Sequence, residues 1–414
     1  MFMSHYATEV CKCPIFFLLA LLIVGCSQEY NFSPEEALDN CTDSEVIDLD
    51  EALTGLELLI DRFADMSNTK ASMPKNYSEK DVTTFGADDI GICTKGNLRA
   101  EIPDTLLYIV NFEGDNGFAV MSANRKLGNF VYCITDKGQI SSNDFAVAYS
   151  LISEASLSVK GMTYTDEEYE FTSMGESFIP TIILSSAMGC IEAESTIQNN
   201  EKNIDTRAIA KHGLLSTRWT QSWPFNSRTP NNAAPGCVAI AVAQIMAYNE
   251  TSNSMNYDGK NCQWSTMKTV YPYNDISNFG SIEAQEQVAA FVYELGKSYN
   301  CKVRYDNGSW AQADGAKRTL NNYGYKDVNK YLGFGKNNQK KAKASIDMGY
   351  PVYLGGCGKG SVYGHAWVID GYDGNYFHCN FGWHGNGDGF YYKDTFNPEG
   401  HNYTWNFRLI TYTK

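Results

Sequence analysis

The sequence predicts an α+β protein in two units: a small α+β domain, followed by a larger one in which a buried central helix packs on an antiparallel sheet. Three observations carry this. Cys237 opens a run, Val238 to Tyr248, that is apolar on nearly every face, the mark of a helix enclosed by a domain. Apolar stretches flank Asp115-Asn116-Gly117 and Asp373-Gly374, each a hairpin signal. The 414 residues are 43% apolar and only 20% charged, enough for two cores of ordinary size.

In chain order, Lys12 precedes an apolar run from Ile15 to Gly25 that is shorter than the ~20 residues a helix needs to cross hydrocarbon. Residues 1–25 therefore read as a signal peptide. Ile23-Val24-Gly25-Cys26 resembles a bacterial lipobox, which assigns Cys26 as the lipid attachment site; plain signal cleavage beside an incidental Cys is the alternative. No later stretch is long and apolar enough to span a membrane, so the remainder is expected to be exported, held by a lipid anchor only or released.

From Val46 the apolar positions Val46, Ile47, Leu49, Leu53, Leu56, Leu59 and Phe63 recur at helical spacing and predict an amphipathic helix. Leu106–Phe112 and Phe118–Met121 predict a hairpin, and Phe130–Ile134 a third strand. Between Gly189 and Lys211 the apolar pattern is lost, which predicts a linker and a cleavage zone. Beyond it Trp, Tyr and Gly become frequent.

Charge divides at the same boundary. The chain has 33 Lys plus Arg against 48 Asp plus Glu, a net −15. Residues 27–205 hold 32 acids and 11 bases, net −21, whereas residues 206–414 hold 15 acids and 21 bases, net +6. The acidic balance argues against a nucleic-acid partner, which needs clustered cations. Opposite signs suit a first half that docks on the second; independent solubility charges are the other reading.

Of twelve Cys, Cys11 and Cys13 would leave with the signal and Cys26 would be acylated. Nine remain, an odd number, so at least one is free. Pro235 and Gly236 end a loop and set Cys237 in the first turn of the central helix, where unpaired N–H groups and the positive dipole end favour a thiolate. An arbitrary Cys in such a place is more often a small buried hydrophobe; downstream partners decide. A Cys nucleophile needs a base, and the base an orienting group. His365 heads the apolar strand Tyr363–Asp370, and the turn at Asp373-Gly374 leads to His378, Cys379 and Asn380. With that two-residue turn Asn380 opposes Trp367, on the face of His365 and diagonal to it; a shift of one residue would turn Asn380 away.

The order Cys, His, Asn, with the Cys heading a central helix, is the papain-like arrangement. The segments RWTQSWPFN, GCVAIAVAQIMAY and YPVYLGGCGKGSVYGHAWVIDGYDGNYFHCNFGWHGNGDGFYY resemble the streptopain family of bacterial cysteine peptidases, and LLYIVNFEGDNGFAVMSANRKL is similar to that family's inhibitory pro-region. The resemblance implies residues 26–205 as an acidic inhibitory pro-region and residues 206–414 as a papain-like cysteine endopeptidase domain. It further implies that the pro-region acts as an intramolecular inhibitor, removed by a cut that the composition break also puts near Asp205 to Ala208, with Arg207 a candidate site. It implies Cys237 as nucleophile, His365 as general base and then acid, Asn380 as the orienter of His365, and Gln221 as an oxyanion donor beside the Cys237 N–H. Gly364, Trp383 and Ser309 are implied in substrate binding. Trp383 would shield His365 and Asn380, and Phe381 replaces the first Trp of the family's Asn-Trp-Gly-Trp signature.

Protein or peptide substrates follow, with no metal and no cofactor. His378, Cys379, His384 and Asp388 match no zinc spacing, and Gly385–Gly389 is too short and too poor in acids for a calcium loop. Cys357 could be a second reactive thiol, though no base is evident beside it. An acyltransferase or amidase on the same scaffold, or a non-catalytic inhibitor or binding protein, are the alternative functions.

Overall fold

Helix α1 (Leu49–Met66) forms on the predicted periodicity, with the Asp48 carboxylate accepting from the Glu51 N–H at 2.9 Å in the manner of a helix cap. The structure, a computed structural model, describes residues 46–66, 75–85, 105, 107–123, 131–140, 171–172, 213–251, 256–257, 260–305, 309–358, 364–393, 395–398 and 403–414. The signal peptide, Cys26 and the linker with Arg207 lie outside the described residues.

Strand β1 (Val82–Phe85) pairs with β2 (Leu107–Asn111), and β2 with β3 (Phe118–Ser122), in the predicted hairpin, Ile109 opposite Val120. Its connection ends at Gly117, φ 95°, where a Cβ would stand 2.1 Å from the Thr135 carbonyl oxygen, so only glycine fits. The predicted third strand is β4 (Val131–Thr135), antiparallel to β3. Leu56, Leu59 and Phe63 of α1 pack with Val110, Ala119, Met121 and Val131 in one core.

The second half opens with α2 (Cys237–Tyr248), followed by α3 (Ile282–Gly296), α4 (Ala313–Asn322), β5 (Lys326–Leu332) and α5 (Lys336–Asp347). Strands β6 (Val352–Cys357), β7 (Gly364–Asp373), β8 (Tyr376–Asn380), β9 (Gly389–Tyr392) and β10 (Trp405–Thr413) complete the chain. One antiparallel sheet runs β1-β2-β3-β4-β9-β8-β7-β6-β10-β5. This is the predicted α+β class.

Alternation in the strands divides the second half into two cores. Ala366, Val368, Tyr353, Ile410 and Tyr412 meet α2, α3 and α4 on one face. Trp367, Ile369, Leu354 and Leu409 meet α5 on the other, a core continued by Ile109, Phe118 and Val120 of the first half. The two predicted units thus share a sheet as well as a core. Its seam is β4 against β9, with Ile134 opposite Phe390 and Cys133 opposite Tyr391.

Six cysteines among the described residues, Cys133, Cys237, Cys262, Cys301, Cys357 and Cys379, are buried and in no disulfide. Among the described residues no helix is long and apolar enough to cross a membrane, and no cluster of His, Cys, Asp or Glu is arranged to hold a metal ion.

Candidate active site

Gly236 caps α2 with φ 93°, a conformation costly for any other residue, and so turns the chain sharply enough to make Cys237 the first helical position. Residues Cys237 to Ala247 are all buried, because α2 is enclosed by the sheet on one side and α3 and α4 on the other. Cys237 is 2% exposed. Burial pushes its thiol up to about 12, against the N–H groups of Ala366, Val238 and Cys237 itself, which favour the thiolate. In this form the helix terminus does not win: the group is a thiol at neutral pH. The Ala366 contact sets the sulfur beside the residue that follows His365.

His365 stands on β7 opposite Gly356, 2% exposed, in an aromatic nest. The Trp383 ring lies against it at 4.5 Å between centroids, with Tyr403 at 5.4 Å and Phe381 at 6.2 Å. Its Nε2 is 2.7 Å from the Phe381 carbonyl oxygen. An N–H donating there leaves Nδ1 as the basic nitrogen of the neutral ring.

The expected diagonal between Asn380 and His365 does not form. The hairpin turn is Gly374-Asn375, with Asp373 opposite Tyr376, and a bulge between Ile369 and Gly371 shifts the pairing so that Asn380 opposes Val368. Without the bulge Asn380 would oppose Ile369, on the face of His365; the extra residue, Asp370, reverses it. Asn380 therefore faces α2. Its Oδ1 accepts from Gln244 Nε2 at 2.7 Å and from the Gly382 N–H at 3.1 Å, and its Nδ2 donates to the Thr217 carbonyl at 3.1 Å. An acceptor for His365 is thus the carbonyl of the next residue, Phe381, in the segment that Asn380 anchors.

Gln221 follows Trp219 by two residues and is half-buried, its Oε1 buried with no hydrogen-bond partner among the described residues. Gly364 begins β7 opposite Cys357. Ser309 corrects its expectation: it is 1% exposed and its hydroxyl donates to the Ala234 carbonyl, so it braces the loop before Cys237 instead of meeting substrate. Cys357 is buried and its thiol pushed up to about 12 by that burial, which makes it a poor nucleophile. His378, Cys379, His384 and Asp388 are not arranged to hold a metal ion among the described residues: His378 bonds Asp370, His384 lies 2.7 Å from the Ile276 carbonyl, and Cys379 enters the aromatic core.

Two features went unread in the sequence. Gln244 was legible in principle as the one amide in an otherwise apolar helix, and a buried amide must find partners. The second is a charged cluster at the seam. Asp136 Oδ2 accepts from Arg218 Nη2 at 2.8 Å and from the Tyr273 hydroxyl at 3.1 Å, and lies 3.4 Å from His378 Nε2; Lys75 Nζ is 3.8 Å from Oδ1. His378 Nδ1 is 2.6 Å from Asp370 Oδ1. Burial alone would lower the His378 pKa, but Asp370 and Asp136 override it and raise it to about 10. Burial would raise Asp136, yet His378, Lys75 and Arg218 hold it well below the usual carboxylate range. The cluster is one of fixed charges: an imidazolium and a guanidinium of the second half on a carboxylate of the first.

Residues 219–391 match the Peptidase C10 family. Streptopain of Streptococcus pyogenes serotype M1 is 28% identical over 336 residues, 75% of this chain and 79% of that protein. The thiol protease/hemagglutinin PrtT of Porphyromonas gingivalis is 30% identical over 218 residues, 45% of this chain and 24% of that one. Among solved structures, a prointerpain A fragment of Prevotella intermedia is similar with a TM-score of 0.46 and 20% identity, covering 74% of this chain and 94% of that one.

Proposed function

Since this chain is a streptopain-like cysteine endopeptidase of the C10 family, we propose that it is exported as a zymogen and that Cys237 and His365 carry out its hydrolysis. The observation that carries the reading is Cys237 at the head of α2, with the N–H of Ala366, the neighbour of His365, at its sulfur. The thiolate attacks the peptide carbonyl carbon, and the oxyanion accepts hydrogen bonds from the Cys237 N–H and the Gln221 amide, each donor worth about 3 kcal/mol of barrier. His365 takes the thiol proton and gives it to the leaving amine. It then deprotonates a water that attacks the thioester, and the thiolate departs. Phe381 supplies the carbonyl that orients the imidazole, and Trp383 excludes water from it.

Residues 26–205 act as the inhibitory pro-region. Their acidic excess, their strands in the same sheet and the Asp136 carboxylate among second-half cations support this. The raised Cys237 pKa fits a latent form. Release follows a cut near Asp205 to Ala208, and the lipobox at Cys26 tethers the exported chain to a membrane or is bypassed by plain signal cleavage.

The test compares the full chain, expressed without residues 1–25 and opened by limited trypsin digestion that is then quenched, with its Cys237→Ala variant in the presence of a thiol. Casein hydrolysis by the parent and none by the variant is expected. A variant as fast as the parent would refute the mechanism.

A further inference from the structure

Helix α2 carries Gln244, 0% exposed, in a run that otherwise reads Val, Ala, Ile, Met. It stands seven residues from Cys237, two turns or ~10 Å along the axis, and on the same face, because seven residues nearly complete two turns. The face that presents the thiol at the helix terminus thus presents a carboxamide deeper in. That amide's hydrogen-bond partners among the described residues belong to the two segments that border the site. Nε2 donates to Asn380 Oδ1 at 2.7 Å, while Oε1 accepts from the Trp219 N–H at 3.0 Å and from the Thr217 hydroxyl at 3.3 Å. Trp219 precedes Gln221 by two residues. Asn380 immediately precedes Phe381, whose carbonyl receives His365.

We propose that Gln244 is a positioning residue for peptide hydrolysis: from the helix that bears Cys237 it sets the segment carrying Gln221 and the segment whose carbonyl orients His365. The inference rests on the catalytic roles given above. Its polarity is specific. Asn380 cannot turn its amide over to suit a different partner, since Oδ1 would then meet the Thr217 carbonyl and Nδ2 the Gly382 N–H, the two groups that now pair with the opposite ends. Residue 244 must therefore donate toward Asn380 and accept from Trp219, which a carboxamide does at every pH and a carboxyl group only when protonated.

The test uses Gln244→Glu and Gln244→Leu in the full chain lacking residues 1–25, opened by quenched trypsin digestion so that maturation does not depend on the variant's own activity. Turnover of a fluorogenic peptide that the parent cleaves is followed across pH. For Gln244→Leu, kcat is expected to fall about a hundredfold, the scale of a 1 Å misplacement of reacting groups, with KM nearly unchanged. For Gln244→Glu, activity near that of the parent at low pH should be lost as pH rises and the new carboxyl ionises, a limb that the parent lacks. Glu is isosteric with Gln, so it carries the test if the Leu variant does not fold. Parent-like kcat and pH profile in Gln244→Glu, or an effect confined to KM, overturns the proposal. If the parent itself is inactive, or Cys237→Ala hydrolyses the peptide, the catalytic roles fall and the proposal with them.

Discussion

Replacing Asp136 by Asn removes the one carboxylate among the described residues through which the first half meets Arg218 and His378. Arg218 Nη2 lies 2.8 Å and His378 Nε2 3.4 Å from its Oδ2, and the cations are nearly sealed from water, with side chains 9% and 1% exposed. Leaving a buried charge without its partner costs about 3–5 kcal/mol. Three observations reduce that here: the Asp136 side chain is 22% exposed, Asp388 Oδ2 stays 3.9 Å from Arg218 Nε, and Asp370 Oδ1 stays 2.6 Å from His378 Nδ1. A cost of about 2–4 kcal/mol remains, which at 1.4 kcal/mol per decade is roughly a 30- to 700-fold rise in the population with the seam open. The assay is the alkylation of Cys237 by iodoacetamide in the full chain lacking residues 1–25, read by peptide mass spectrometry. On the proposed role of the first half as a cover for the cleft, labelling of the buried Cys237 reports opening. The Asp136→Asn chain should label faster by that factor, and parent labelling should accelerate with added salt, since halves of net −21 and +6 attract less when screened. A rate within twofold of the parent would refute the claim that this cluster holds the first half in place, and a rate flat in salt would make the opposite signs incidental.

Two further predictions follow from single groups. Gly236→Ala forces an L side chain to φ 93° with its Cβ 3.3 Å from Val303 Cγ1, so urea denaturation should show a loss of about 1–3 kcal/mol, and an unchanged midpoint would contradict the account of how Cys237 reaches the first turn. For pH, the His378 pKa of about 10 lies above its ordinary 6.5, so its stabilisation is complete below about pH 6.5 and declines as pH rises toward 10. Asp388, raised to about 7 by its burial, has completed its own decline by then, and Lys75, lowered to about 8 by burial, opposes the trend only above that value. The melting temperature of the full chain should therefore fall between pH 7 and 8, and His378→Gln should flatten the fall; the same slope in that variant would assign the titration elsewhere.

The features legible in the sequence are those written in neighbouring residues. The helix of Leu49–Met66 follows from apolar spacing, and the β2–β3 hairpin from Asp115-Asn116-Gly117 between apolar strands. Cys237 at a helix start follows from Pro235 and Gly236 ahead of an apolar run. The partnership of Asn380 with His365 was not legible, because it depended on register. The turn moved by one residue to Gly374-Asn375, which alone would have kept Asn380 on the face of His365, and the bulge at Asp370 then reversed it. No periodicity marks such a bulge; what accompanies it is the bond from Asp370 to His378.

The sequence by itself determined the α+β class of the protein and its two-part charge, and it supplied the order of the proposed reactive residues, since patterning, composition and motif spacing are properties of contiguous chain. Only the tertiary structure decided what those residues touch. Gln244 meets Asn380 across 136 residues and Asp136 meets Arg218 across 82, pairings with no local signature. They exist because a buried amide and a buried charge each need a partner, and the partner is whichever group the fold brings within hydrogen-bond reach.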